Sequence, residues 1–314
     1  MGGGGGGGGG GGLGSGGLGP PDDFKKQIEQ ARKEEQQRLD QDLTDLLRDL
    51  LMQFNNRDTE LTRDRLDQAL KCLSEVIEID AFLFGGSVAK HTYVDGLSDI
   101  DGLVTLKGDG KENGSPQDVL DAMHRQLAVN FSREGVASIE KGNMAVTINY
   151  NDGSQVQLLP AIRSGDKVMI TDSSGNKWKE TNPKEFKQTL TKQNQELNGF
   201  LVPAIKLAKS AIASLPPQQR LSGYHVESLA VDAAKSYSGE KNVKDLFVNL
   251  LDHASRRVLK PIRDVTGQSR TVDDSLGKAD SLERKNCSQA LASIARRLSS
   301  ATTVSQWKVI LSDE

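Results

Sequence analysis

The chain has 314 residues, and 15 of its 32 glycines fall in the first 19 positions; the rest has ordinary globular composition, enough for one large domain or two sharing a core. With 40 basic and 43 acidic residues the formal charge is −3, which excludes a chain that coats nucleic acid by charge alone. A local basic groove is left open, but aromatics at 4% offer little for a stacking platform, and no strong nucleic-acid template is expected. No apolar run approaches the roughly 18 to 20 residues of a membrane span, and the start lacks the basic-then-apolar pattern of a signal peptide. A cytoplasmic protein with no membrane association is expected. Cys72 and Cys287 stand far apart with no further Cys or His at ligand spacing, so each reads as a small core hydrophobe.

Residues 1–21 form a glycine tract with Leu13, Ser15 and Leu18, closed by Pro20 and Pro21. Such a tract cannot bury enough surface to offset its backbone entropy, and a disordered tail is expected. Asp22 and Asp23 open a charged helix whose apolar residues recur at three- and four-residue steps only from Leu39 to Phe54. Thr59 is placed to cap a second helix carrying Leu61, Leu66, Leu70 and Leu73.

The period then becomes extended. Ala81 to Phe84 is a short apolar strand running into Gly85-Gly86-Ser87, and Ile100 to Leu106 is a second strand that begins inside an acidic pair. Residues 107–116 read as a polar turn and Val119 to Phe131 as a helix. Met144 to Tyr150 and Val156 to Ile162 read as strands joined by the turn Asn151-Asp152-Gly153. From Asn182-Pro183 onward the pattern is helical, with segments near 184–214, 224–238, 242–256 and 280–299. The fold class is α+β with largely antiparallel pairing. The expected organisation is a tail at 1–21, a catalytic lobe at 22–181 and a helical lobe at 182–314.

The chemistry is concentrated in Phe84-Gly85-Gly86-Ser87 followed by Asp99-Ile100-Asp101. Residues two apart on a strand point to one side, so Asp99 and Asp101 present both carboxylates to one site. Paired carboxylates suit a hard divalent cation such as magnesium, with manganese as a substitute. Gly85 and Gly86 permit a turn tight enough for backbone amides to approach a phosphate, and the Ser87 hydroxyl adds a donor. A strand, a glycine-serine turn, a short helix and a strand carrying the Asp pair together describe a nucleoside triphosphate site.

The segment GGSVAKHTYVDGLSDIDGLV resembles the signature of the polymerase-beta-like nucleotidyltransferases, and its KHTYVDGLSDID wording is most similar to the bacterial cGAS/DncV-like nucleotidyltransferases of anti-phage signalling. That resemblance, covering roughly residues 40–310, implies a polymerase-beta-like sheet joined to a helical lobe like that of oligoadenylate synthetase. It implies that Lys209 in LVPAIKLAK holds the triphosphate, with Lys206 the competing choice. In LSGYHVE it implies that the Ser222 hydroxyl contacts phosphate and that the Tyr224 ring stacks on a base. From the residues themselves, Ser222 equally suits a helix cap, Tyr224 a core position and His225 a packed helix residue. Lys90 and His91 follow the phosphate turn and either face solvent or approach phosphate. Arg284, the amphipathic helix after it and Trp307 fit the family's C-terminal closure.

One position departs from the family. Where active relatives carry a third carboxylate in a context like VDVLPA, this chain reads Gln155-Val156-Gln157-Leu158-Leu159-Pro160-Ala161, with Gln157 at the acidic position. An amide oxygen coordinates magnesium but supplies no charge and is no general base at neutral pH. Activation by metal alone, a substitute carboxylate such as Asp152 or Glu140, and lapsed turnover are the three explanations, in that order. The leading expectation is a magnesium-dependent enzyme that joins nucleoside triphosphates into a cyclic or short linear oligonucleotide, sensed by a downstream effector in defence against phage. The alternatives are a template-independent synthase of linear RNA or DNA, with Ser15 as a protein primer, and a nucleotide-binding module without turnover.

Overall fold

The structure, a computed structural model, describes residues 22–312 apart from 57, 98, 109–113, 165–166, 173 and 268. The glycine tail with Ser15, where disorder is expected, and the middle of the polar turn at 107–116 lie outside the described residues. The chain divides after Asp42. The first unit is the leading part of helix α1 (Asp22–Phe54), exposed throughout residues 24–38 and supported by i,i+4 pairs such as Gln30 Nε2 donating to Glu34 at 2.8 Å. A helix this polar on all sides is held by such local pairs and its own backbone.

The second unit runs from Leu43 and is built on a seven-stranded sheet. Its strands are β1 (Ile79–Phe84), β2 (Ile100–Leu106), β3 (Val136–Lys141), β4 (Val146–Tyr150), β5 (Gln155–Ser164), β6 (Lys167–Thr171) and β7 (Trp178–Thr181). The main path is β1-β2-β5-β4-β3, and β6 continues from β5 to β7. Among the described residues, only β2 and β5 pair in parallel. β5 is long because it serves two neighbours: it pairs with β4 over Gln155 to Leu158 and with β6 from Ala161. Pro160 falls at the handover, where neither antiparallel partner needs the N–H that proline lacks.

One face of this sheet is dry. Helices α2 (Thr59–Leu73) and α4 (Pro116–Asn130) bring Leu66, Ala69, Leu73, Leu120, Met123 and Leu127 onto Ile100, Val104, Ile148, Val156 and Leu158. Cys72 belongs to this cluster, and Cys287 is buried in the helical segment; both are free thiols. The opposite face carries the alternate residues of the same strands, which is where Asp101 and Gln157 emerge.

Several elements differ from the sequence reading. Asp58, rather than Thr59, caps α2 by accepting from the Leu61 N–H at 2.9 Å. The helix expected at 119–131 starts three residues earlier, at Pro116, on a Ser115–Asp118 capping box. The single helix expected at 184–214 is two, α5 (Pro183–Glu196) and α6 (Leu201–Ala213). Asn198 and Gly199 take φ of 55° and 84° between them, and Asn194 Oδ1 accepts from the Val202 N–H at 3.0 Å to start α6. The helices α7 (Gly223–Ala234), α8 (Val243–Arg257) and α9 (Leu282–Ser300) fall where helical periodicity places them, and α10 (Val304–Ser312) follows. α6 is apolar on all sides and almost wholly buried, so Lys206 and Lys209, buried with it, must have partners.

Between β1 and β2 lies the short helix α3 (Gly86–Ala89), closed by a Schellman pattern. The Thr92 N–H bonds to the Ser87 carbonyl at 3.0 Å and the His91 N–H to the Val88 carbonyl at 3.1 Å, with His91 at φ 58°. Histidine tolerates this left-handed position poorly, whereas β-branched residues hardly tolerate it. We expect His91→Gly to be neutral or stabilising by up to about 1 kcal/mol and His91→Val to lose about 1–2 kcal/mol, read from urea midpoints. A His91→Val protein as stable as the parent would show that the turn does not need this geometry.

Candidate functional site

The site forms on the open face, at the entry to β2 and the turn after β1. The Gly85 N–H bonds to the Asp101 carbonyl at 2.8 Å, which brings the turn alongside β2. Gly86 has φ +50° and lies directly against the Asp101 side chain; a Cβ there would sit 1.6 Å from Asp101 Oδ2. No side chain other than hydrogen fits that position, so the second glycine is required by the carboxylate opposite it.

Asp99 and Asp101 flank Ile100, whose side chain enters the core, and are themselves half-buried. Burial, and then the neighbouring charge of Asp99, push the Asp101 carboxyl up to about 6. Parallel pairing sets Gln157 beside Asp101, and Gln157 Nε2 donates to Asp99 Oδ2 at 2.6 Å. The three positions predicted to form the catalytic set therefore meet.

The two substitute carboxylates are occupied elsewhere. Asp152 pairs with Arg65 at 2.8 Å and accepts from the Ser154 N–H and hydroxyl. These contacts outweigh its partial desolvation and hold its carboxyl down to about 2, too low for a base at neutral pH. Glu140 lies in the same cross-strand row as Gln157 but two strands further, with Thr147 between them, or about 10 Å at the usual strand spacing. It accepts from Ser138 and Asn149. Among the described residues no cluster of three or more His, Cys, Asp or Glu side chains is placed to hold a metal.

The chemistry of the donor set still fits one hard cation or a closely spaced pair. Burial first, and then the charge of Asp99 beside it, raise the Asp101 carboxyl, which is the signature of anionic oxygens short of positive charge. Gln157 adds an amide whose oxygen is available after a flip about its last bond. Asp99, Asp101 and Gln157 are thus the residues that would hold magnesium or manganese.

The remaining predicted residues are distributed as follows. Ser87 is half-buried in α3, next to Gly86. Ser222 is exposed and caps α7, its Oγ accepting from the His225 N–H at 3.2 Å. The Tyr224 hydroxyl donates to Asp264 Oδ1 at 2.8 Å, and its ring packs edge-on to Phe186 with centroids 5.1 Å apart. Lys206 donates to Asn55 Oδ1 at 2.5 Å and lies 4.6 Å from the Tyr93 ring centre. Lys209 reaches the turn that follows α3, where its ammonium meets Glu227 at 2.7 Å and the Thr92 carbonyl at 2.9 Å. His225 is buried beside Asp273, and desolvation keeps it neutral, down to about 4.

Glu227 is the residue that sequence reasoning left without a role. It is 1% exposed, accepts from Thr92 Oγ1 and Lys209, and forms an ion pair with Lys90. Its one visible signal was its place three residues after Tyr224 in LSGYHVE, indistinguishable there from a solvated helix position.

This fold and donor set define a nucleotidyltransferase of the polymerase-beta type. The Second Messenger Oligonucleotide or Dinucleotide Synthetase domain pattern matches residues 38–194, half the chain, and the chain belongs to that family, the cGAS/DncV-like nucleotidyltransferases. Solved structures with the same fold include the CD-NTase CdnG of Bradyrhizobium diazoefficiens in complex with GTP (TM-score 0.59, 15% identity, 81% of this chain and 89% of that one). The DncV cyclic AMP-GMP synthase of Vibrio cholerae aligns over 90% of this chain and 86% of its own (TM-score 0.58, 12% identity). The CdnE c-UMP-AMP synthase of Rhodothermus marinus aligns over 77% and 94% (TM-score 0.52, 16% identity). No curated protein sequence matches. Among the described residues no helix is long and apolar enough to cross a membrane.

Proposed function

We propose that this nucleotidyltransferase condenses nucleoside triphosphates, with a divalent cation, into a cyclic or short linear oligonucleotide that a separate effector protein senses in antiviral signalling. The observation that carries the reading is the Asp99–Asp101 pair, with Asp101 packed against Gly86, the one residue type that leaves its carboxylate room. Support for the product class comes from family membership and from neighbours described as dinucleotide synthases.

When bound, magnesium or manganese would align the attacking hydroxyl with the α-phosphate, acidify it and offset the charge of the leaving pyrophosphate. The chain's own contributions are distinct. Asp99 and Asp101 supply the anionic oxygens, and Gln157 holds Asp99 in place while adding no charge. Gly86 and Ser87 let the turn approach a phosphate, and the lysines gathered at Glu227 supply positive charge beside it. Ser222 and Tyr224, both at the start of α7, would supply the phosphate and base contacts that the family resemblance implies for them.

Gln157 favours one second reading, a module that binds nucleotides without turning them over. Incubating the protein with labelled ATP, GTP, CTP and UTP, then the four deoxynucleotides, with magnesium or manganese and a phosphatase step, separates the two. A phosphatase-resistant small product is expected. A ladder, or label linked to the protein and lost when residues 1–19 are deleted, would replace the signalling reading with primed oligomer synthesis. Bound nucleotide without pyrophosphate release would replace it with the binding module.

A further inference from the structure

The order of the strands sets a direction across the site. β1, which runs into the glycine-serine turn, lies on one side of β2 and its Asp pair; β5, β4 and β3 lie on the other. In phosphoryl transfer the attacking and leaving oxygens stand roughly in line. With the leaving pyrophosphate held at the turn, the attacking hydroxyl enters from the Gln157 side. The nucleotide that bears it then extends over β5, β4 and β3.

That part of the open face is polar. A cross-strand row runs Asp101, Gln157, Thr147, Glu140, and in the next row Asn149 faces Ser138. Thr147, Asn149 and Ser138 are half-buried and Glu140 is exposed, and none of these side chains is cationic. Such a surface suits a ribose and a base rather than phosphates, which call for cationic partners. From Asp101 to Glu140 is three strand spacings, about 14 Å, room for one nucleoside.

The far end of this surface is already hydrogen-bonded. Asn149 Nδ2 donates to Ser138 Oγ at 2.7 Å and to Glu140 Oε1 at 3.1 Å, and Ser138 Oγ donates to the same Oε1 at 2.7 Å. A carboxylate only accepts, so Glu140 fixes the other two groups: the amide nitrogen and the hydroxyl proton must turn toward it. Both Asn149 N–H groups and the Ser138 proton are thereby used. Among the described residues nothing pairs with Glu140 Oε2 or Asn149 Oδ1, so the cluster offers a ligand acceptors and no donor. Neighbouring acceptors select a base edge with neighbouring donors. Of the four ribonucleotide bases only guanine has one, its ring N–H beside its exocyclic amine; adenine and cytosine set an amine beside a ring acceptor, and uracil has one N–H between two carbonyls.

Resting on the nucleotidyltransferase reading above, we propose that Glu140, held by Ser138 and Asn149, reads the base of the acceptor nucleotide and selects guanine. The acceptor's hydroxyl oxygen bonds to the donor's α-phosphorus as the bond to pyrophosphate breaks, and the hydroxyl proton passes to solvent. A linear product therefore keeps the acceptor's own triphosphate, which marks the acceptor.

The test gives the full chain equimolar ATP, GTP, CTP and UTP with magnesium or manganese and identifies, by mass spectrometry at early times, the base next to the retained triphosphate. Guanine is expected there with a preference of about tenfold or more over any other base. Glu140→Gln keeps the shape but turns one acceptor into a donor. Its guanine preference should fall about tenfold, with a melting temperature close to the parent's because the position is exposed. Ser138→Ala loosens Glu140 without touching the carboxylate and should lower the preference by less. A parent that places another base beside the triphosphate, or whose product contains no guanine, overturns the proposal. So does a Glu140→Gln protein with guanine preference within twofold of the parent's. A parent that makes no product from any triphosphate overturns the nucleotidyltransferase reading and this assignment with it, whereas product with the wrong base overturns the assignment alone.

Discussion

Replacing Asp101 with asparagine should reduce product formation by about a thousandfold or more while stabilising the metal-free protein above pH 6. Both effects have one origin. In the folded chain the Asp101 carboxyl is raised from 3.8 to about 6 by burial first and by Asp99 second. A carboxyl whose folded pKa lies above its unfolded value weakens the fold when it ionises. The penalty is absent below about pH 3.8, grows as pH rises toward 6 and is complete above it. Two units correspond to about 3 kcal/mol, and partial solvent access reduces that toward about 1–2 kcal/mol. Asparagine keeps the shape that packs on Gly86 and removes the charge, so the melting curves of parent and variant should diverge between pH 4 and 6. Adding magnesium should then raise the melting temperature of the parent and not of the variant. Activity above a tenth of the parent's, or equal magnesium stabilisation of both proteins, would remove Asp101 from the metal-binding set.

The second large effect lies away from the chemistry. Arg284 is fully buried and binds Asp273 Oδ2 at 2.6 Å, the Val258 carbonyl at 2.8 Å and the Gly277 carbonyl at 2.9 Å. It ties the end of α8, the loop before α9 and α9 itself. Arg284→Met would leave the Asp273 charge and two carbonyls without their donor, and about 3–5 kcal/mol should be lost, seen as a lower denaturant midpoint. Combining it with Asp273→Asn should cost less than the sum of the two single changes, because the bare charge is gone. His225 supplies a pH signature. Asp273 raises its pKa and Arg284 lowers it, so without Arg284 the histidine protonates more readily. The folded variant then holds more protons than the folded parent, and its deficit should narrow as pH falls from 7 toward 5. A deficit below 1 kcal/mol would show that the loop closes without this cation.

The acidic part of the candidate site was legible because its information is local. Two aspartates either side of an isoleucine, and a Gly-Gly-Ser turn after an apolar strand, state their geometry in the spacing alone. The strand at Ile100–Leu106 coincides with its sequence boundaries because both ends are marked, by the acidic pair and by the polar turn. The Asn151-Asp152-Gly153 hairpin follows for the same reason, with Gly153 at φ 82°. β3, β6 and β7 were not foreseen, since Val136–Lys141 and Trp178–Thr181 are short and largely half-exposed, and carry little apolar alternation. Glu227 and the roles of the two lysines were hidden for a stronger reason. On an isolated helix, Lys209 and Glu227 read as solvent-facing charges; only the packing of α6 and α7 against the turn after α3 buries them together.

That packing joins positions far apart in the chain. Thr92 and Glu227 are 135 residues apart, and Thr92 and Lys209 are 117 apart. Contacts of such separation form late, because the intervening chain must be ordered before they reward its closure. During synthesis the sheet strands and the glycine-serine turn emerge well before the helix that carries Glu227. Until that helix docks, Lys90 has no carboxylate partner and Tyr224 no place beside it. A nascent chain thus carries both aspartates long before the contacts that hold Lys90 and Thr92 to Glu227 can form, which must wait until nearly three-quarters of the chain has been made.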